Sequence, residues 1–354
     1  MYVLLVEPNF YTRYPPLGLL KLSTYYKQLG YTVGLVRHGP RPVQAQPDII
    51  CITSLFTYTW RPVHDAIRTY RLMFPRAKIM LGGIYATLMP DHARLRAVDE
   101  IQVGIVDEVE DLTPDYSLVP EWKTSILFSS RGCIRRCRFC AAHVLEPKLV
   151  AKKSIKHLIH PNHTKICLWD NNILGTPYWQ SIFNELEELG LEVDFNQGID
   201  ARLTTEDVAY ALTKLKIPRV RLAYDTTGVR EFLSQAIKLL KANGFDGRRI
   251  IVYTLYNFKD TPQDFLDKIR DLMEWGVVAY PMRYEPLNSL QKNKYVSAKW
   301  TVEQLEMVAK ARRVIGYGGA FPPYEGLRKK LVTATDFEQA FRLRPLREKV
   351  SETS

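Results

Sequence analysis

The stretch SSRGCIRRCRFCAAH, residues 129–143, places three of the chain's five cysteines, Cys133, Cys137 and Cys140, within eight positions. Intervals of three and two residues let one wrapped loop aim three sulfurs at a common centre. Gly132 relieves backbone crowding where strand becomes loop. The neighbouring Arg131, Arg135, Arg136 and Arg138 favour thiolate over thiol and offset an anionic cluster. Two metal chemistries fit the spacing. A cubane iron–sulfur cluster takes four thiolates, and three leave one iron open for a substrate. Alternatively, His143 completes a Cys3His set that closes a structural zinc site and makes the chain a zinc-stabilised module for binding nucleic acid or protein.

The elements that position this loop are legible on both sides of it. Short apolar runs at 2–7, 31–37, 48–54, 78–83 and 99–105 read as buried strands. LGLLKLSTYYKQLG and RPVHDAIRTYRLMF between them carry apolar residues at helical spacing. Strand–helix alternation predicts a doubly wound, five-stranded parallel sheet over residues 1–105, with ligands at the carboxyl ends of its strands. Residues 106–122 are acidic, contain proline and lack a period, as a linker would. Strands then recur near 125–130, 165–170, 192–196, 218–224, 249–256 and 277–283, with helices near 176–190, 204–215, 228–243 and 261–274. Six β/α units over 123–290 predict a partial (β/α)6 barrel whose site lies at its carboxyl-end face. A helical extension, 291–354, follows.

With that context, RGCIRRCRFC resembles the CxxxCxxC signature of the radical S-adenosylmethionine (SAM) family, including the aromatic residue before the last cysteine. The resemblance implies a [4Fe-4S] cluster on Cys133, Cys137 and Cys140, with SAM chelating the open iron and Phe139 near the adenine. It implies reductive cleavage of SAM to methionine and a 5′-deoxyadenosyl radical that activates an unreactive carbon. It also implies an electron donor such as flavodoxin or ferredoxin. Residues 1–105 resemble the cobalamin-binding domain that precedes the barrel in one large class of the family. The matching segments are PPLGLLKLSTYYKQLGY, ITSLFTYTW and MLGGIYATLMPDHA. Gly82 and Gly83 would face the nucleotide tail of cobalamin, with Ser54, Thr57 and Thr59 hydrogen-bonding it. No Asp-x-His-x-x-Gly follows the first strand, so no histidine is offered there as a lower cobalt ligand. Cobalamin-dependent methyl transfer and cobalamin-free hydrogen abstraction both follow from this class.

Further polar residues stand at expected strand ends. Asp170, Asn171 and Asn172 occupy the position that in the family helps bind the SAM amino group, although Asp170 equally suits a helix cap. In FNQGIDARLTTED, Gln197, Gly198, Asp200 and Arg202 resemble the GxxAR region near the SAM ribose and carboxylate, and TTED reads as a helix start with Thr204 or Thr205 as cap. Tyr224 and Asp225 end the fourth strand. Arg283 and Tyr284 end the sixth and are the substrate-side catalytic candidates, since tyrosine-rich strand ends suit a site shielded from water. The Gly/Pro-rich GYGGAFPPYEG, 316–326, reads as a lid or a tight connection.

Cys51 and Cys167 lie inside apolar strands, as core hydrophobes do, and supply no second cluster. The net charge of +11 permits a nucleic acid or another polyanion. No apolar run reaches membrane-spanning length. The N-terminus reads as a strand and not as a secretory signal, so a cytoplasmic protein is expected.

Overall fold

The computed structural model describes residues 1–43, 45–95, 97–314 and 325–342. The expected lid at 316–326 falls almost wholly outside the described residues, as does most of the basic stretch at 341–349. The chain divides into two compact units. The first holds Met1–Ile199, Tyr210–Pro218 and Glu285–Tyr295; the second holds Asp200–Ala209, Arg219–Tyr284 and Val296–Ser354.

The first unit opens with five parallel strands, β1 (Tyr2–Pro8), β2 (Thr32–Gly39), β3 (Ile49–Ser54), β4 (Lys78–Gly83) and β5 (Glu100–Ile101). Their spatial order, β2-β1-β3-β4-β5, is that of a flavodoxin-like doubly wound sheet. The central run Val3–Leu4–Leu5–Val6 is fully buried because helices cover both faces. Leu4 and Val6 join the core under helix α2 (Trp60–Met73), with Val63, Ile67 and Tyr70. Val3, Leu5 and Cys51 face Leu19 and Tyr26 of helix α1 (Leu17–Gln28).

Helices α3 (Ile84–Leu88) and α4 (Pro90–Ala93) follow β4 directly. Strand β5 is far shorter than the 99–105 stretch predicts: Gly104, at φ +79°, turns the backbone away after two paired residues. The acidic 106–122 segment is not a bare linker. It forms the one-turn helix α5 (Asp107–Glu110), and beyond it Tyr116 and Val119 bury against Leu20 of α1.

A second parallel sheet in the same unit orders β10-β9-β6, from β6 (Thr124–Leu127), β9 (Lys165–Leu168) and β10 (Glu192–Phe195). Between β6 and β9 a two-stranded antiparallel ribbon pairs β7 (Ser130–Arg131) with β8 (Val150–Ala151). Helices α6 (Ala142–Leu145) and α7 (Trp179–Leu189) complete this part, and α6 packs against α3. Helix α8 (Glu206–Thr213) follows β10 in the chain, and Thr205, not Thr204, caps it by accepting the Val208 N–H at 3.3 Å.

In the second unit a third parallel sheet orders β11 (Val220–Tyr224), β12 (Ile250–Tyr256) and β13 (Val278–Arg283). Helices α9 (Arg230–Ala242) and α10 (Pro262–Glu274) alternate with them. Thr261 and Asp264 form a capping box at the start of α10, with Pro262 in its first turn. Helices α11 (Val302–Val314), α12 (Glu325–Thr333) and α13 (Phe337–Phe341) form the expected helical extension. Six β/α units thus follow the doubly wound sheet in the predicted order. No helix among the described residues is long and apolar enough to cross a membrane.

Candidate functional site

The three clustered cysteines lie on the loop that leaves β7, and all are partly exposed. The Arg135 N–H donates to Cys133 Sγ at 3.3 Å, and the Ala142 N–H to Cys140 Sγ at 3.4 Å. Such donors stabilise thiolate charge, as they do around iron–sulfur clusters. Among the described residues no three His, Cys, Asp or Glu side chains gather closely enough to hold one metal ion. A cubane asks something different, because each thiolate bonds its own iron and the sulfurs must frame a cluster instead of meeting at an ion. A donor set of three thiolates, two of them receiving N–H bonds, fits that group. Phe139 is half-buried beside them.

Arg131 does not serve the thiols as the sequence suggests. Its Nε and Nη2 donate to Glu110 at 2.8 and 2.9 Å, its Nη1 donates to Glu146 at 2.8 Å, and its guanidinium lies over the Phe128 ring. Two carboxylates therefore absorb its charge. Burial pushes the Glu110 carboxyl up, but the bonds and charge of Arg131, with Lys21 and Lys152, outweigh it and hold Glu110 below the ordinary range. Arg136 and Arg138 stay exposed.

At the end of β9, Asp170 is buried and acts as a tie. Its carboxylate accepts from Ser129 N at 3.1 Å, Ser129 Oγ at 2.6 Å and Ser130 Oγ at 2.7 Å, fixing the end of β6 to the end of β9. Burial raises its carboxyl above the usual range, against those hydrogen bonds. Asn171 Nδ2 donates to Glu146 at 2.7 Å. Asn172 Oδ1 accepts from Gly175 N at 3.2 Å, capping a short turn. Gln197 and Gly198 follow β10: Gln197 is exposed and Gly198 adopts φ +91°.

At the carboxyl ends of β3 and β4, Ser54 Oγ donates to Gly82 O at 2.7 Å and accepts from Ala86 N at 3.1 Å. Thr57 Oγ1 donates to Ser289 O at 2.6 Å, and Thr59 Oγ1 to Phe56 O at 2.7 Å. These hydroxyls are spent inside the unit and do not fit the donor role that cobalamin asks of them. Gly83 has its own structural reason: at φ +100° a Cβ would collide with the Ser54 backbone. Gly82 meets only Gln102, at an ordinary 3.5 Å.

In the second unit, Asp200 Oδ1 accepts from Arg202 Nε at 2.9 Å and Arg202 N at 3.1 Å. Tyr224 turns its hydroxyl away from the strand end, to Asp271 at 2.9 Å, and its ring stacks on Trp275. The half-buried Asp225 follows it. Burial pushes its carboxyl up to about 6 against the pull of Lys268 and Arg202, with Asp200 adding to the rise. Buried Lys268 donates to Leu255 O at 2.5 Å and pairs with Asp260 at 3.4 Å. Arg283 ends β13, and the Tyr284 ring packs on Phe258 at 4.7 Å. A pocket of about 140 Å³, lined by Gly247, Arg248, Val277 and Arg328, lies at the amino ends of β12 and β13, away from the ends that carry these groups.

A carboxyl raised in the fold contributes stability below its unfolded value of 3.8 and loses it as pH rises through about 6. Asp225→Asn keeps the neutral state at every pH. It is expected to raise stability at pH 8 by about 2 kcal/mol, allowing for partial exposure. The gain should vanish on acidification to pH 4. Urea denaturation across that range measures it, and an equal gain at both ends would contradict the account.

Sequence reading passed over Glu146, Glu110 and the Ser129–Ser130 pair. None stands in a motif, and each acts through a partner that only the fold brings close.

No family model matches this chain, and no curated protein matches it. Among solved structures it is similar to TsrM from Kitasatospora setae, a radical S-adenosylmethionine methyltransferase with tryptophan substrate and the SAM analogue aza-SAM bound. The TM-score is 0.59 at 13% identity, over 87% of this chain and 76% of that one. Coproporphyrinogen III oxidase (HemN) from Escherichia coli, a radical SAM enzyme, aligns over 62% of this chain and 61% of that one, at 17% identity and a TM-score of 0.41, too loose to weigh. The likeness to TsrM is one of fold: a five-stranded doubly wound sheet followed by six β/α units.

Proposed function

We propose that the chain is a radical SAM enzyme that holds a [4Fe-4S] cluster on Cys133, Cys137 and Cys140 and activates an unreactive carbon of its substrate. One observation carries this reading. The CxxxCxxC loop leaves the strand ribbon after β6, the first strand of the β/α series, with backbone N–H groups on two of its sulfurs. The fold likeness to a radical SAM methyltransferase over 87% of the chain supports it.

Held by Cys133, Cys137 and Cys140, a [4Fe-4S] cluster would supply the single electron for reductive cleavage of SAM, with a flavodoxin- or ferredoxin-type protein as its source. The chain's own work is to bind and orient. Three thiolates leave one coordination position to SAM. Asp170 locks the ends of β6 and β9 together, and Asn171 stands at the β9 end with an amide for the methionyl group. Arg283 and Tyr284 are the substrate-side candidates.

Anaerobic reconstitution should give about four irons per chain with matching sulfide, and reduction with SAM should release methionine and 5′-deoxyadenosine. Zinc without iron or sulfide would overturn the proposal in favour of a zinc-stabilised binding module. Corrinoid retention then separates two reactions. Ser54, Thr57 and Thr59 donate inside the unit, so the expected result is that hydroxocobalamin does not survive desalting, as quantified by mass spectrometry; near-stoichiometric retention would favour methyl transfer instead. No retention by a chain with an intact cluster would reject methyl transfer through a corrinoid and turn the substrate search to products of hydrogen abstraction.

A further inference from the structure

Glu146 stands in none of the sequence motifs, yet it draws together the two segments on which the proposed site depends. Its Oε2 accepts from Gly132 N, the residue before Cys133, at 2.7 Å and from Asn171 Nδ2 at 2.7 Å. Its Oε1 accepts from Arg131 Nη1 at 2.8 Å, and Arg131 is itself anchored on Glu110. The side chain is 11% exposed, so these bonds form largely out of water. Only a carboxylate answers all three donors, because both of its oxygens accept. Glutamine has nearly the same shape, but its amide NH2 must face either the Arg131 guanidinium or the Gly132 and Asn171 donors, and one side of the junction is lost.

We propose that Glu146 is a positioning residue that sets the entry of the cysteine loop and the Asn171 amide in one frame, and so fixes how SAM meets the cluster. The inference rests on the radical SAM reading. It also explains why an asparagine can stand at this strand end: a neighbouring carboxylate holds the amide by its nitrogen, which leaves the amide oxygen to accept from an amino group.

The test reads the cluster itself. Wild type, Glu146→Gln, Asn171→Ala and the double variant are reconstituted anaerobically, and SAM is titrated against the electron paramagnetic resonance spectrum of the reduced cluster. Glu146→Gln is expected to retain iron and sulfide but to need about tenfold more SAM, or beyond, to convert the spectrum. The double variant should need no more than Glu146→Gln alone, since one junction serves both residues. A wild-type titration curve for Glu146→Gln, or strictly additive effects in the double variant, would overturn the proposal. Where Glu146→Gln does not fold, Asn171→Asp carries the test. It sets a second carboxylate against Glu146 Oε2, and like charges push the frame apart. The same rise in SAM requirement with the cluster retained is expected, and an unchanged titration overturns the proposal. A wild-type chain that holds no cluster, or whose spectrum ignores SAM, defeats the radical SAM reading before any variant is compared.

Discussion

Cys137→Ala is expected to abolish SAM cleavage while leaving the fold in place. Cys137 is partly exposed on its loop, so truncation should change stability by less than about 0.5 kcal/mol. The loss falls instead on the metal. Two thiolates cannot hold a cubane that already reserves one iron for SAM, so iron and sulfide should fall with activity. Cys51→Ala should do the reverse. Cys51 lies 4% exposed in β3, where burial pushes its thiol up to about 11 and keeps it a neutral, packed group. Its removal should cost about 1 kcal/mol through lost packing and leave iron content and methionine release intact. Iron analysis, product chromatography and urea denaturation on the two variants together check this. Methionine release by Cys137→Ala at the wild-type rate would remove the cluster from the mechanism.

The scaffold was readable because its strands obey a physical constraint that leaves a pattern. Strands covered on both faces must be apolar throughout, which is why YVLLVE and DIICITS announce β1 and β3. Thiol spacing is equally local, so the cysteine loop could be found without a fold. What stayed hidden depends on residues distant in sequence. The acidic 106–122 stretch has no period, and nothing in it reveals that Tyr116 and Val119 complete a core with Leu20 or that Glu110 neutralises Arg131. A count of arginines near the thiols assigns Arg131 to them, whereas its three donors point at carboxylates and leave the sulfurs to backbone N–H groups. Hydroxyls read as ligand donors met the same limit, since Ser54 and Thr57 close hydrogen bonds with Gly82 and Ser289, and the second of those partners lies far along the chain.

Gly132→Ala should be the most damaging single-atom addition in the loop, costing about 3 kcal/mol or more and stripping the chain of iron. Gly132 has φ +80°, and an added Cβ would drive into the Lys148 carbonyl and reach Leu149 Cα at 3.0 Å. Both obstacles are backbone, so no side-chain rotation relieves the clash. Nor can that backbone easily withdraw, because the β7–β8 ribbon pairs Arg131 with Val150 and Ser130 with Ala151 immediately beside it. Two escapes are open, and each harms the site. Separating the ribbon releases the loop, while moving Gly132 out of the left-handed region swings its N–H off Glu146 and displaces Cys133. Gly104 supplies the control. It has nearly the same positive φ, +79°, but a Cβ there meets nothing within 4 Å. Gly104→Ala should therefore cost only the conformational penalty, about 1 kcal/mol, and keep the cluster. Urea denaturation and iron per chain, measured on both variants, separate steric collision from backbone strain. If Gly132→Ala proves no worse than Gly104→Ala, the ribbon yields at little cost, and the rigidity assigned here to the entry of the cysteine loop is wrong.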